Sequence, residues 1–324
     1  MGRFFAPIHM TPAPAAALPA FSAVLAVVLS LGCAAPVMAQ SASTSTATQS
    51  VDDRDYEAAR RAFRNGEHEE ALRVLVPLAE RNHPGAQFLL GYAYRQGRGV
   101  AESAPQALHW YDRAARLGHE RARLNAAIML RNGAPGVPVD LDRSRAYLES
   151  GEADGQAPAI AELGRVYERG LGVLADEARA IALYERAHAL DDDWAPFYLG
   201  RLLYRRHATD ADWRRARTLF RAGADHGVPV SLNNLAWMLH NGQGGETDLD
   251  AAEVLYRRAL DMGYTRSGLH LAMLLNLREP HTQIGDAEIV QYCQPVLADP
   301  DMVWSRQRNC HDLMKHVTDR GLVR

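Results

Sequence analysis

The sequence predicts an all-α protein folded as a solenoid of helix-turn-helix repeats. Three observations carry this prediction: an internal period of about 36 residues, small and large apolar side chains at helical spacing inside each period, and glycine or acidic residues where helices would end and begin. The 324-residue chain is 47% hydrophobic, which is enough apolar material for a substantial core. A folded body is therefore expected rather than a disordered chain.

Residues 1–39 are predicted to be a signal peptide. The apolar run 20–31 is too short to cross a bilayer comfortably, and Val37 and Ala39 occupy the small-residue positions that signal peptidase reads. Cleavage after Ala39 would send the mature chain to the periplasm or outside the cell. No second long apolar run follows, so no transmembrane segment is expected in the mature chain.

Two further interpretations concern the segment around the cleavage site. Cys33 could instead be the lipidated cysteine of an anchored lipoprotein, although Ser30 stands where that motif favours Leu or Val. Residues 40–52 are rich in Ser and Thr, lack apolar periodicity and are predicted to be a flexible leader. The folded body is therefore expected to begin near residue 53.

The folded body is predicted to begin with a helix pair at 53–82. Gly66 marks its turn, and its apolar faces contain Tyr56, Ala59, Phe63, Ala71, Leu75 and Leu78. This spacing resembles a loose tetratricopeptide helix pair, which would cover the N-terminal end of the solenoid. Such a cap is needed because a solenoid exposes an apolar face at each end.

Six repeats are predicted between residues 86 and 284. Each begins with a small residue, and the starts are 36 or 37 residues apart: Ala86, Ala122, Ala159, Ala195, Ser231 and Ser267. A second small residue follows five positions later, at Gly91, Ala127, Gly164, Gly200, Ala236 and Ala272. Small residues at this spacing indicate a first helix that a neighbouring helix can approach closely.

Each first helix is followed by a turn and a second helix. In several copies the turn is glycine-rich, as at Gly97, Gly99, Gly170 and Gly172. The second helix is expected to start at a residue that caps free N–H groups: Ser103, Asp140, Asp176, Asp212 and Asp248. Small, apolar and aromatic residues then recur at i, i+3, i+4 and i+7, which indicates one buried helical face.

This residue pattern resembles the Sel-one-like repeat of the tetratricopeptide superfamily. The motif Ala-x-x-x-Leu-Gly-x-Ala-Tyr-x-x-Gly-x-Gly-Val occupies 86–100, and Ala-x-x-Trp-Tyr-x-x-Ala-Ala-x-x-Gly occupies 107–118. The resemblance extends over about residues 86–263 and implies a right-handed superhelical solenoid. Two copies depart from it: the fourth has 205–208 in place of the Gly-x-Gly turn, and in the sixth Asp286 comes two residues late.

Residues 285–324 are predicted to form a non-repeating helical cap. It contains Cys293 and Cys310, the two cysteines of the predicted mature chain. In an oxidising compartment these thiols are expected to form a disulfide, which would stabilise the cap by about 3 kcal/mol. A metal site that includes His311 is the disfavoured alternative, because no Cys-x-x-Cys pair or second spaced histidine accompanies these residues.

No catalytic residue, cofactor or metal site is predicted. The histidines form no His-Glu-x-x-His pair, no Gly-x-Ser-x-Gly elbow is present, and the Gly-x-Gly turns lie between predicted helices rather than between a strand and a helix. The formal net charge of −3 argues against a general nucleic-acid binder. Resemblance to cysteine-rich helical repeat proteins implies penicillin binding or weak hydrolysis as an alternative, but those proteins have a cysteine pair in every repeat, whereas residues 40–292 here contain no cysteine.

The resemblance also implies that partners bind in a concave groove lined by the first helices. Positions six, nine and ten after each repeat start are expected to face solvent there. The predicted groove residues on this basis are Tyr92, Arg95, Arg131, Arg165, Arg169, Arg201, Tyr204, Arg205, Trp237 and His240. Their arginines would form a cationic stripe suited to carboxylates and to stacking on rings. The alternative is that these arginines pair with acids of the second helices and only solvate the surface.

The expected function is therefore that of a non-catalytic protein-binding scaffold or adaptor of the bacterial cell envelope. A protein or acidic peptide is the expected partner, and an anionic polysaccharide of an export system is the alternative ligand. The repeat itself indicates binding, whereas only the arginine stripe indicates the chemistry of what is bound.

Overall fold

The computed structural model describes residues 37–206, 209–277, 283–298 and 304–319. These residues form fifteen α-helices, and one isolated antiparallel bridge joins Ala134 and Val137. The contacts divide the chain into two units, Met1–Ser50 and Val51–Arg324, and the repeats all lie in the second. The apolar run of the predicted signal peptide and Cys33 lie outside the described residues.

The body begins with two helices, α1 (Val37–Arg64) and α2 (His68–Glu80). Their buried residues include Ala59, Phe63 and Leu75, which pack in one cluster with α3. The predicted leader, 40–52, lies in the first half of α1, where the described backbone is helical rather than irregular. A helix lengthens at little cost once its first turn exists, because each added residue gains one backbone hydrogen bond.

Six further helix pairs follow. We call their members first and second helices. The first helices are α3 (Pro84–Gln96), α5 (Glu120–Asn132), α7 (Ala157–Arg169), α9 (Ala195–Arg206), α11 (Pro229–His240) and α13 (Ser267–Leu277). The second helices are α4 (Ala104–Arg116), α6 (Leu141–Ala153), α8 (Glu177–Ala189), α10 (Asp210–Asp225), α12 (Leu249–Asp261) and α14 (Gln283–Ala298), and α15 (Trp304–Asp319) comes last. Each helix packs against the next one in the chain, which confirms the solenoid.

The second helices start where the sequence predicts, with one exception. Ser103, Asp140, Asp176 and Asp248 each accept a hydrogen bond from the backbone N–H three residues later. In the fourth copy, by contrast, Thr209 is the cap and Asp212 is the third residue of α10. The two side chains bond each other's backbone N–H, so they form a reciprocal capping box and the helix begins earlier than predicted.

Within a repeat, the small residue of the first helix contacts the aromatic residue of the second. Gly91 lies under the ring of Tyr111 and Gly164 under the ring of Tyr184, both of which are fully buried. Gly170 ends α7 in the left-handed conformation, with φ of 64°, and its N–H bonds the carbonyl oxygen of Val166. The glycines therefore have two separate roles, close packing and helix termination.

Neighbouring second helices are joined by arginine–carboxylate pairs. The shortest N–O distances are 2.7 Å for Arg143–Asp112, 2.9 Å for Arg186–Glu152, 2.5 Å for Arg215–Glu185 and 2.7 Å for Arg257–Glu288. Each pair crosses one repeat boundary. Exposed pairs of this kind contribute at most about 1 kcal/mol each, so they tune the stacking of repeats that apolar contacts drive.

The C-terminal end is a compact cluster of α13, α14 and α15. Cys293 and Cys310 form a disulfide with Cα atoms 5.1 Å apart, and both cysteines are fully buried together with Ile289 and Val317. Asp286, which departs from the repeat spacing in sequence, is a buried residue in the first turn of α14. The atypical turn predicted at 205–208 lies partly outside the described residues.

Candidate partner-binding face

The first helices share one face of the solenoid, which we call the groove face. On it α7 contacts α9 and α11 contacts α13, so side chains of successive repeats meet there. Most of the predicted groove residues lie on this face, but few of them stand free. Two glutamates of α7 accept hydrogen bonds from four of the arginines among them.

The first of these glutamates is Glu162, which pairs with two arginines. Arg131 of α5 and Arg165 of α7 both donate hydrogen bonds to its carboxylate, and the Arg165 distance is 2.6 Å. All three side chains are less than one fifth exposed. Burial is the largest single effect on the pKa of Arg165 and lowers it, but Glu162 together with Tyr198 and Tyr184 leaves the net shift upward. Arg131 and Arg165 are therefore fixed cations.

The second is Glu168, whose side chain is only 4% exposed. It accepts hydrogen bonds from Arg201 (2.7 Å), Arg205 (2.6 Å) and the Tyr184 hydroxyl (2.7 Å). Burial, and then the bond to Glu168, raise the pKa of Tyr184, so its hydroxyl remains a donor. Glu168 thus ties two arginines of α9 to the preceding repeat.

The ring of Tyr198 connects these two clusters. The Arg165 guanidinium lies 5.2 Å and that of Arg201 5.9 Å from its centre. Four arginines and two glutamates therefore form a continuous line from α5 to α9 with a net charge of +2. We call this line the Arg–Glu ladder; it consists of Arg131, Glu162, Arg165, Tyr198, Arg201, Glu168 and Arg205.

Two exposed arginines, one beside the ladder and one at its end, remain available to a partner. Arg169, the last residue of α7, is exposed and makes no ion pair or hydrogen bond with any residue that the structure describes. Arg205 donates one hydrogen bond to Glu168, and its side chain is still 58% exposed. A guanidinium has five N–H donors in a planar fork, so both residues can still bind a carboxylate in bidentate fashion.

A cavity of about 250 Å³ opens on the groove face between α3 and α5. Tyr92, Arg95 and Asn125 contribute to its lining, with Tyr111 at its base. Arg95 lies 3.7 Å from Glu102, and both side chains are exposed. Burial raises the pKa of Tyr111 to about 12, although a hydrogen bond with Asn125 opposes the shift. Tyr92 is half-buried and Arg95 is exposed at this cavity.

The remaining predicted groove residues belong to a polar and aromatic network. Trp237 donates a hydrogen bond from Nε1 to the Tyr204 hydroxyl (3.1 Å), which in turn donates to Gln243 (3.0 Å). His240 differs from the prediction. It is only 8% exposed and burial lowers its pKa, so a neutral ring faces the interior rather than a partner. Its ring lies 6.5 Å from that of Tyr256, the buried aromatic residue of its own second helix.

Sequence reasoning missed Glu162, Tyr198 and Gln243 as parts of this face, and it did not select Glu168 as a site residue. The sequence does contain a signal for the two glutamates. They stand three and nine positions after the start of the third repeat, and no other copy has an acidic residue at the ninth position. The arginines do pair with acids, but Glu162 and Glu168 belong to a first helix and not to a second one.

Within the described residues, no group of three or more His, Cys, Asp or Glu side chains is arranged to hold a metal ion. The described helices also include none with the length and apolar character needed to span a membrane.

Comparison with known proteins gives the family. The family model of the Sel1 repeat matches residues 84–119, 121–155, 157–192 and 229–264. These matches coincide with four of the six helix pairs, and the gap at 193–228 is the copy without the Gly-x-Gly turn. A crystal structure of a Sel1 repeat protein from Oxalobacter formigenes superposes with a TM-score of 0.62 at 22% identity, covering 82% of this chain and 99% of that one.

Two relatives from rhizobia are both described as an exopolysaccharide production negative regulator. The one from Rhizobium meliloti (strain 1021) is 32% identical over 124 residues, which span 34% of this chain and 46% of the relative. The one from Rhizobium leguminosarum bv. viciae is 26% identical over 191 residues, or 55% of this chain and 69% of the relative. Because the family model matches four of its helix pairs, the chain is a Sel1 repeat protein.

Proposed function

We propose that the protein is a non-catalytic adaptor of the bacterial cell envelope that binds a carboxylate-bearing segment of another protein on its groove face. The Sel1 repeat scaffold fits a protein-binding adaptor. The observation that carries the finer proposal is the Arg–Glu ladder, with its excess positive charge and with Arg169 and Arg205 exposed at its edge.

The ladder supports binding because it is already ordered in the free protein. Glu162 and Glu168 hold Arg131, Arg165 and Arg201 in place, so little side-chain entropy is left to lose when a partner binds. The same glutamates are saturated by arginine and do not repel an incoming carboxylate as free acids would. Trp237 and Tyr204 extend the face with half-buried rings, residue types that commonly anchor partners.

The relatives support a regulatory rather than a catalytic role. Both Rhizobium proteins are described as negative regulators of exopolysaccharide production, and the chain spans about half and about two thirds of their lengths. For this chain we propose regulation by binding, with the signal peptide predicted at 1–39 placing it in the periplasm or outside the cell. Lipidation at Cys33 would instead anchor it to a membrane surface.

The test compares two charge-reversed double variants. One is Arg169→Glu with Arg205→Glu, on the groove face; its matched control is Arg214→Glu with Arg221→Glu, on the exposed side of α10. Each is used to capture partners from an envelope extract, with the fold checked by circular dichroism. We expect the groove variant to lose a protein that wild type and control both retain. Equal capture by both variants would contradict the proposal.

The captured protein then identifies the chemistry. We expect its bound segment to contain Asp or Glu, and replacement of these residues by Asn or Gln to weaken binding about tenfold for each bidentate pair lost. Capture that survives protease treatment of the extract but not glycosidase treatment would show an anionic polysaccharide to be the ligand and would overturn the protein-binding proposal.

A further inference from the structure

A second cavity lies away from the groove face, between the second helices α4 and α6. Its volume is about 450 Å³, within the range of about 300–1,000 Å³ typical of small-molecule sites. Arginines from three helices line it: Arg116 at the end of α4, Arg123 on α5 and Arg143 on α6. Ser150 and Tyr147 complete its polar lining. We call it the α4–α6 cleft.

The cleft lies where the second repeat lacks an arginine that three other copies have. Ten residues after the second-helix cap, three other copies have Arg113, Arg186 and Arg258, whereas the second repeat has Ser150. Arg113 reaches back to the Asn82 side chain (2.9 Å) and Arg186 to the Glu152 carboxylate (2.9 Å), so each covers the boundary with the preceding repeat. Ser150 is too short to do so. The boundary between α4 and α6 therefore stays open.

Two of the arginines that line the cleft occur in no other copy. Arg123 takes the position next to the repeat start, where the other copies have the uncharged buried residues Gln87, Ile160, Pro196, Leu232 and Gly268. Arg116 takes a position that is Ala or Asp elsewhere: Ala153, Ala189, Asp225 and Asp261. The α4–α6 boundary thus combines the absence of the bridging arginine with two arginines that no other copy has.

These cations are only partly neutralised. Arg123 is 7% exposed and pairs through Nη1 with Asp154, while Arg143 donates to Asp112 (2.7 Å), which also accepts from the Tyr147 hydroxyl (2.8 Å). Arg116 is exposed and makes no ion pair or hydrogen bond with the described part of the chain. Arg143 also lies 4.0 Å from Asp140, so its charge is the best compensated of the three. The N–H groups of Arg123 that do not contact Asp154, and those of Arg116, remain for a ligand.

We propose that the α4–α6 cleft binds an oxyanion, either phosphate or carboxylate, carried by a small polar molecule. Arginine forks match both groups in bidentate geometry, and the Ser150 hydroxyl can bond either. The buried position of Arg123 strengthens its interaction with an anion, because water screens it less than it screens a surface charge. The cleft lies on the second-helix side, so this site does not depend on the function proposed for the groove face.

Isothermal titration calorimetry of the full chain at low salt tests the site with four probes: inorganic phosphate, glucose 6-phosphate, glucuronate and glucose. We expect the anions to bind and neutral glucose not to bind. A preference for glucose 6-phosphate over glucuronate assigns phosphate, and the reverse assigns carboxylate. If none of the three anions binds, the proposal is overturned.

Variants locate the binding. Arg116→Glu should lower the affinity for the anion about tenfold or more, as expected for the loss of a charge-assisted hydrogen bond. Ser150→Leu should do the same by filling the cleft without changing charge. Arg221→Glu, the same charge reversal on α10, should leave the affinity within about twofold if the effect is local. Binding that is insensitive to Arg116→Glu and Ser150→Leu, or equally sensitive to Arg221→Glu, would contradict a site in this cleft.

Discussion

The ring of Tyr184 lies so close to Gly164 that a β-carbon on the glycine would stand 2.6 Å from the tyrosine Cε1 atom. Gly164→Ala should therefore destabilise the protein by about 1–3 kcal/mol through overpacking. Urea unfolding followed by circular dichroism measures the change.

The second repeat provides a control for this prediction. There Ala127 and Leu148 occupy the positions of Gly164 and Tyr184. The double variant Gly164→Ala with Tyr184→Leu recreates that pair, so it should be more stable than the two single losses predict by addition. Strict additivity would show that the ring contact is not the cause.

Glu168→Gln should destabilise the protein by about 3 kcal/mol, because it removes the buried charge shared by Arg201 and Arg205. By contrast, Arg205→Ala should cost less than about 1 kcal/mol, since that side chain is 58% exposed. Both values come from denaturant unfolding at neutral pH. Similar costs for the two variants would mean that Glu168 is not the centre of the ladder.

Replacing Cys293 and Cys310 by Ala should destabilise the C-terminal cluster by about 3 kcal/mol, the chain-entropy value for a loop of this length. Repeats contact only their neighbours, so the loss should stay local. Hydrogen exchange should accelerate in α14 and α15 while α3 to α8 keep their protection. Uniform acceleration along the chain would contradict this nearest-neighbour behaviour.

Asp192→Asn should stabilise the protein at pH 7 more than at pH 4. The carboxyl is 7% exposed, and burial raises its pKa even though it accepts hydrogen bonds from the N–H groups of Trp194 and Ala195. A raised pKa in the folded state favours the protonated form, so this contribution to stability is present at pH below 3.8 and is lost as pH rises through the folded-state pKa. Asparagine keeps an acceptor without the charge.

Thermal unfolding of both proteins at pH 4 and pH 7 checks this prediction. Asp193→Asn is the matched control, because the Asp193 side chain is 66% exposed. If the Asp192 variant gains more at pH 4 than at pH 7, the sign of the pKa shift is wrong.

The sequence predicts local features of this fold well. Asp140, Asp176 and Asp248 could be named as caps because capping depends on residues within one turn of each other. Asp212 was wrongly predicted to be the cap of α10, because a competing capping residue, Thr209, lies three residues before it. Local competition of this kind has to be weighed between neighbouring candidates.

Contacts between repeats were harder to predict. The partners that Glu162 and Glu168 have in neighbouring repeats lie 31 to 37 residues away, and their orientation depends on how each helix is rotated about its axis. One position along a helix turns a side chain by about 100°. His240 shows the effect, since its repeat position is exposed for the long side chain of Arg95 and buried for the shorter imidazole of His240.

The placement of both ladder glutamates on α7 limits how this protein can be shortened or reshuffled. Deleting residues 157–192 removes one whole 36-residue unit and would leave the helical phase of the remaining units intact. The deletion would, however, remove the glutamates that accept hydrogen bonds from Arg131, Arg201 and Arg205. The repeats are therefore not interchangeable. A shortened protein without 157–192 would need acidic residues on the helix that then stands in the place of α7.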